Sequence, residues 1–125
     1  MIELATGWQM DVERGPDWLF VRVNHSNPNG DAMPQLAERV WELMQQHLVN
    51  RVVLELDQLP LLSSYFVGQL VLLHKRVASH NGLLRVSGLS ESNQEVLHLG
   101  RLEDRFPHYD SRSDAVRGHR PLQPR

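Results

Sequence analysis

The sequence predicts an α/β domain, with a mixed, largely parallel sheet that opens on a β-hairpin and continues through alternating helices and strands. Three observations predict it. Two strand-like runs flank Gly15-Pro16 near the start. Beyond them, apolar residues recur at helical spacing in two separate stretches. Short runs rich in Val and Leu stand next to those stretches and lack the alternation of a half-exposed strand.

Each element has a reason. Trp8 to Gly15, "WQMDVERG", alternates loosely and stops at the Gly15-Pro16 turn signal. Asp17 to His25, "DWLFVRVNH", is rich in aromatic and branched residues and reads as a strand that pairs back on the first. "SNPNGD", Ser26 to Asp31, is a dense turn cluster. From Met33 to Leu48 the residues Leu36, Val40, Met44 and Leu48 recur every four positions, with Ala37 and Trp41 widening the stripe of an amphipathic helix. Arg51 to Leu56, "RVVLEL", fits a central buried strand.

Helical spacing returns from Ser64 to His80, with Phe66, Val67, Leu70, Val71, His74, Val77 and Ala78 on one face. His80-Asn81-Gly82 is the stop, and Gly82 is expected to be its left-handed cap. Leu83 to Gly88 reads as a strand. Ser90, with Asn93 and Gln94 behind it, forms an approximate capping box for a helix ending at Gly100. A last short strand is expected within Asp104 to Asp110, broken or placed at an edge by Pro107, and "SRSDAV" starts a short terminal helix. Residues 1–116 are expected to form one domain. Residues 117–125, with two prolines and few apolar side chains, are expected to be a frayed basic tail.

Composition bounds the function. A chain of 125 residues is large enough for its own core, and 41% hydrophobic with 22% charged residues is ordinary for a globular protein. A formal net charge of −2 lacks the basic footprint of a nucleic-acid binder. No apolar run approaches the ~20 residues that span a bilayer. The first residues lack a basic segment followed by an apolar one, so no secretory signal is expected, and the expected location is the cytoplasm. With no cysteine, disulfides and thiolate chemistry are excluded. Seven histidines, at positions 25, 47, 74, 80, 98, 108 and 119, show no H-x-x-x-H or H-E-x-x-H spacing, so no metal site and no cofactor are expected. His74, on the apolar face, reads as a half-buried packing residue.

In sheets of this class, ligand and partner sites gather where carboxyl ends of strands meet helix N-termini. Ser63 and Ser64 lie at one such junction, Asn27 to Asp31 at a second, and Gly88 to Ser90 at a third. Three loops from distant parts of the chain are thus expected to share a surface.

The segment from Arg51 to Ser111 resembles the STAS domain of anti-sigma factor antagonists. That family reads as a V-V-L-D-L strand, a loop ending D-S-S-G-L-G, an apolar helix, a G-G-x-L strand, a G-L-S helix start and an L-x-x-L-F ending. The matching residues are Val52 to Leu56, Gly68, Asn81-Gly82-Leu83-Leu84, Gly88-Leu89-Ser90, Leu97 with Gly100, and Leu102 with Phe106. The resemblance implies a STAS-like single domain. It also implies a regulatory protein that is not an enzyme and that binds an anti-sigma factor doubling as a serine kinase, in a partner-switching pathway. Phosphorylation of one serine in D-S-S-G would end that binding. The expected assembly state is a monomer or weak homodimer.

The chain departs from the pattern at that serine. Aligned on Gly68, the family's Asp falls on Ser63, its first Ser on Ser64, its phosphoacceptor on Tyr65 and the next Gly on Phe66. Three alternatives stay open: Ser64 is used, Tyr65 is modified, or the domain binds without a switch, as a non-phosphorylated scaffold. The candidate partner-binding residues are Asn27, Asn29, Gly30, Asp31, Ser63, Ser64, Tyr65, Phe66, Gly88 and Ser90, with Ser64 and Tyr65 the candidate phosphorylation sites. Tyr65 and Phe66 add aromatic area suited to docking, although Phe66 also fits the core stripe. Plainer roles compete: Ser63 or Ser64 as a helix cap, worth ~1 kcal/mol, and 27–31 as a solvated turn. An acyl-transfer site of Ser64, His98 and Asp57 lacks a G-x-S-x-G elbow. A small-ligand sensor lacks a Gly-rich phosphate loop.

Overall fold

The computed structural model describes residues 2–25 and 34–118. Six strands form one sheet in chain order: β1 Ile2–Ala5, β2 Trp8–Arg14, β3 Leu19–His25, β4 Arg51–Glu55, β5 Leu83–Ser87 and β6 His108–Tyr109. The first three pair antiparallel. The last three join in parallel, starting from β3. Helices α1 Leu36–Gln46, α2 Ser64–Ser79 and α3 Glu91–Leu99 make the crossovers, and α4 Arg112–Arg117 closes the described chain. The expected hairpin of β2 and β3 is present, with Trp8 opposite His25 and Arg14 opposite Leu19.

Alternation along the strands sorts two cores. Leu19, Val21 and Val23 of β3, with Val52 and Leu54 of β4, face a large core completed by Leu36, Val40 and Met44 of α1, Phe66, Leu70, Leu73 and Val77 of α2, and Leu97 of α3. The opposite face carries a smaller cluster of Trp18, Phe20, Val53, Tyr109 and Ala115 under α4. Side chains at successive strand positions point to opposite faces, so one strand serves both cores.

Four expectations are corrected. β1 was not anticipated; it is a four-residue edge strand, joined to β2 through Gly7, whose φ is 82°. Helix α1 ends at Gln46, and Leu48 is 90% exposed in a left-handed conformation, φ 56°. A four-residue repeat drifts by about 40° per step on a 3.6-residue helix, so by Leu48 the series has left the buried stripe, and Leu43 fills it instead. The same geometry puts Leu73, not Ala78, on the buried face of α2. Beyond α2, the left-handed residue is Asn81, φ 61°. Gly82 serves close approach instead: its N–H donates to the Val77 carbonyl at 2.9 Å, and a Cβ there would collide with the Asn50 carbonyl oxygen.

The last strand is shorter than the expected segment, at two residues directly after Pro107. Arg117 is still helical and Gly118 caps α4 with φ 70°. The rest of the expected tail lies outside the described residues.

Candidate functional site

Ser63 holds the start of α2. Its backbone is extended, and its hydroxyl accepts from the Phe66 N–H at 3.1 Å. This is the N-cap expected of Ser63 or Ser64, and it satisfies one of the free N–H groups at a helix start. Ser64 is the first helical residue, exposed, and its hydroxyl has no hydrogen-bond partner among the described residues. Tyr65 is half-buried.

Phe66 is 2% exposed and belongs to the large core. Its ring therefore offers no docking area, which leaves Tyr65 as the aromatic of this turn. The correction has a helical cause: Phe66 is in phase with Leu70, Leu73 and Val77. Trp8 stacks on Phe66, with centroids 5.6 Å apart, and His25 stacks on Trp8 at 3.7 Å. The three rings fasten the end of β3 to the first turn of α2. Residues Asn27, Asn29, Gly30 and Asp31, which follow β3, lie outside the described residues.

Asn93 joins the second loop to the third. It is fully buried in the first turn of α3. Its Oδ1 accepts from the Leu62 N–H at 2.8 Å, and its Nδ2 donates to the Pro60 carbonyl at 3.0 Å. Its own N–H donates to the Ser90 hydroxyl at 3.1 Å. Ser90 thus caps α3 while Asn93 fixes the loop that leads into Ser63. Only half of a capping box forms, because the side chain of Asn93, the third helical residue, bonds to Leu62 and Pro60 instead of reaching back to Ser90. Gly88 adopts φ 75°, and a Cβ on it would lie 2.8 Å from Asp57 Cβ. The 63–65 turn and the 88–90 turn are therefore neighbours, held by backbone-directed bonds. Asn93 and the Trp8–His25 pair were missed as site supports; the S-E-S-N-Q pattern indicated a cap but not the long-range bonds.

Beside this surface lies a paired charge network. Glu55, 5% exposed, receives Arg22 at 3.2 Å and Arg112 at 2.5 Å. Arg22 also reaches Asp57 at 3.2 Å, and Arg112 reaches Glu13 at 2.6 Å. The hydrogen bond to Glu55 raises the pKa of Arg112 above its ordinary value, against the opposing effect of burial. A cleft of about 410 Å³ runs over these groups, but its arginines are already matched by carboxylates, so it has no free positive charge to offer a ligand. The Glu55–Arg112 pair instead latches α4 to the sheet. Because the Arg112 side chain is a third exposed, removing one partner costs less than the ~3–5 kcal/mol of a fully buried pair.

A wider hollow of about 610 Å³ lies between α3 and the 103–108 segment, rimmed by Glu91, Glu95, Glu103 and Asp104. Among the described residues no group of three or more His, Asp or Glu is placed to hold a metal ion. His98 is hydrogen-bonded to Glu103, and that bond, followed by the charge of Glu103, raises its pKa. His74 is lowered, by burial and then by the charge of Arg105. Asp57 is bonded to Arg22 and Gln58. The acyl-transfer trio of Ser64, His98 and Asp57 is therefore not connected by hydrogen bonds. Among the described residues no helix is long and apolar enough to cross a membrane.

The comparisons agree with this architecture. The family model for the STAS domain matches residues 10–115. The protein TM1081 of Thermotoga maritima is similar in structure, with a TM-score of 0.73 at 18% identity, over 91% of this chain and 90% of that one. An anti-sigma factor antagonist from Mycobacterium paratuberculosis gives a TM-score of 0.72 at 20% identity, over 91% and 95%. The anti-sigma factor antagonist SpoIIAA of Bacillus, in its unphosphorylated form, gives 0.68 at 16% identity, over 88% and 97%. No curated protein sequence matches this chain.

Proposed function

This chain belongs to the STAS domain family, and from that premise we propose that it acts as an anti-sigma-factor-antagonist-like docking protein. Its partner is a second protein of the anti-sigma factor and serine kinase kind, within a partner-switching pathway. The docking face comprises Ser63, Ser64 and Tyr65 at the start of α2, Gly88 and Ser90 at the next turn, and the loop bearing Asn27, Asn29, Gly30 and Asp31. The observation that carries this reading is the Asn93 bridge, which holds the first two turns in one fixed arrangement. A surface ordered before binding loses less freedom when it docks.

Tyr65 stands where the family has its phosphoacceptor serine. Of the hydroxyls at this turn, Ser63 is committed to the cap and Tyr65 is half-buried, whereas Ser64 is exposed and uncommitted. Ser64 is therefore the position open to a kinase. A phosphate there would sit beside free N–H groups and the positive end of the helix, which tolerates it. It would also place nearly two negative charges in the docking face and weaken the complex.

The test is phosphosite mapping of the protein from its native cells, followed by titration of the captured partner with the Tyr65→Asp and Ser64→Asp variants. Phosphate on Ser64 with weaker binding of both variants supports the switch. An unmodified turn under all growth conditions, with both variants still weakened, supports an unswitched docking module. Unchanged affinity for both removes the face.

A further inference from the structure

We propose that the outer face of α2, running from Tyr65 across Gly68 and Leu72 to Lys75 and Arg76, receives an amphipathic helix of the partner protein. That helix packs closest over Gly68 and carries carboxylates opposite the two cations. The inference deepens the docking reading above and rests on it.

The helix phase defines the face. Phe66, Leu70, Leu73 and Val77 point into the core. On a 3.6-residue helix Gly68 and Lys75 lie opposite that stripe, Leu72 lies about 130° from it, and Tyr65 and Arg76 flank the same side at roughly 90–110°. Gly68 sits at the centre of this outer side. Glycine is the residue that least favours a helix interior after proline, so its presence needs a reason. None lies inside the molecule. No atom approaches within 4 Å of the position a Cβ would take, and φ is not in the left-handed region. What a missing side chain does provide is a backbone open to close approach from outside.

The neighbours of Gly68 fit such an approach. Leu72 is 56% exposed, and Leu61, just ahead of the helix, is 67% exposed. Scattered exposed leucines are ordinary, but Leu72 lies one turn beyond the glycine and Tyr65 nearly one turn before it. Further along, Lys75 and Arg76 are exposed, and neither has an ion pair among the described residues. Arg76 lies over the Trp41 ring, 5.9 Å from its centroid, and keeps its charge unmatched.

These charges also select the occupant. A second copy crossing antiparallel at Gly68 would lay Lys75 against the N-terminal end of the other α2, where the helix dipole is positive. Crossing in parallel, it would set cations against cations. An acidic helix of another protein meets neither penalty and gains complementarity.

The experiment places the photo-crosslinker p-benzoylphenylalanine in the full chain in its native cells, in place of Leu72, of Tyr65, or of the exposed Leu99 as a control. The expected result is an adduct from position 72, with the attachment mapped to an acidic, helix-forming segment of a different protein. Reversing charge with Lys75→Glu and Arg76→Glu together should abolish it. Gly68→Leu should lower the yield about tenfold, as expected for the loss of one close contact. Gly68→Ala should raise the melting temperature and still lower the yield. An adduct from position 65 with none from 72 overturns this inference and leaves the docking turn standing. No adduct from either position overturns both. An adduct to a second copy, or one indifferent to the charge reversal and to Gly68→Leu, overturns the acidic helix.

Discussion

The Trp8 indole lies nearly parallel to the Phe66 ring, with centroids 5.6 Å apart and planes 14° apart. A residue of the opening hairpin thereby sets the position of helix α2, which starts the proposed docking face. Trp8 also faces His25 across the strand pair, and their rings stack at 3.7 Å. Offset stacks contribute about 0.5–1.5 kcal/mol beyond burial. Trp8→Ala should therefore destabilise the domain by about 3 kcal/mol, at the lower end for a large aromatic because Trp8 is only half-buried. Equilibrium denaturation reads this directly. His25→Phe should keep the stack and raise stability by about 1 kcal/mol, since the buried Nε2 has no hydrogen-bond partner among the described residues.

Asn93 supports the loop through both ends of its amide. Asn93→Leu leaves the Leu62 N–H and the Pro60 carbonyl without their bonds. The buried Leu62 N–H so stranded costs about 1–3 kcal/mol, and the Pro60 carbonyl, on an exposed residue, costs less. The variant should melt well below the wild type. Hydrogen exchange should show the Leu62 amide losing protection, and the partner should bind more weakly although Asn93 itself is buried. Unaltered exchange at Leu62 would contradict the bridge.

Two glycines should respond to alanine with opposite sign. At Gly68 the Cβ meets open space in a helix interior, so Gly68→Ala should stabilise by up to about 1 kcal/mol. At Gly88, φ is 75° and the Cβ would press on Asp57, so Gly88→Ala should destabilise by about 1–3 kcal/mol. Thermal melts of the two variants side by side check the contrast.

The two shifted histidines should act on stability in opposite directions with pH. His74 has its pKa lowered from 6.5 by burial and by Arg105. The unfolded chain takes up that proton first, so the His74 contribution is present above about 6.5 and falls as pH drops through the folded value. His98 is raised from 6.5 by Glu103. Its contribution is present below about 6.5 and is lost as pH rises through the folded value. His74→Gln should flatten the acid side of a plot of melting temperature against pH. His98→Gln should flatten the neutral side, and only slightly, because that pair is exposed to solvent.

Much of the fold was legible because strand and helix periods write themselves into the chain. The β2–β3 hairpin, the three crossover helices and the Ser90 cap all follow from local spacing and turn chemistry. Edge strand β1 was not legible, since four residues carry too little pattern. The fate of Leu48 depended on helix drift, and the left-handed Asn81 on how closely Gly82 must approach Asn50.

The candidate site divides along the same line. The sequence by itself determined that hydroxyls stand at a strand–helix junction and that Tyr65 follows them. Both are facts of residue identity and local order. Only the tertiary structure decided which hydroxyl caps the helix, that Phe66 turns inward onto Trp8, and that Asn93 ties Pro60 and Leu62 to the third turn. The last two of those outcomes depend on contacts between residues 31 to 58 positions apart in the chain. Such contacts form only when crossover helices bring separate strand ends together, and no local period encodes them.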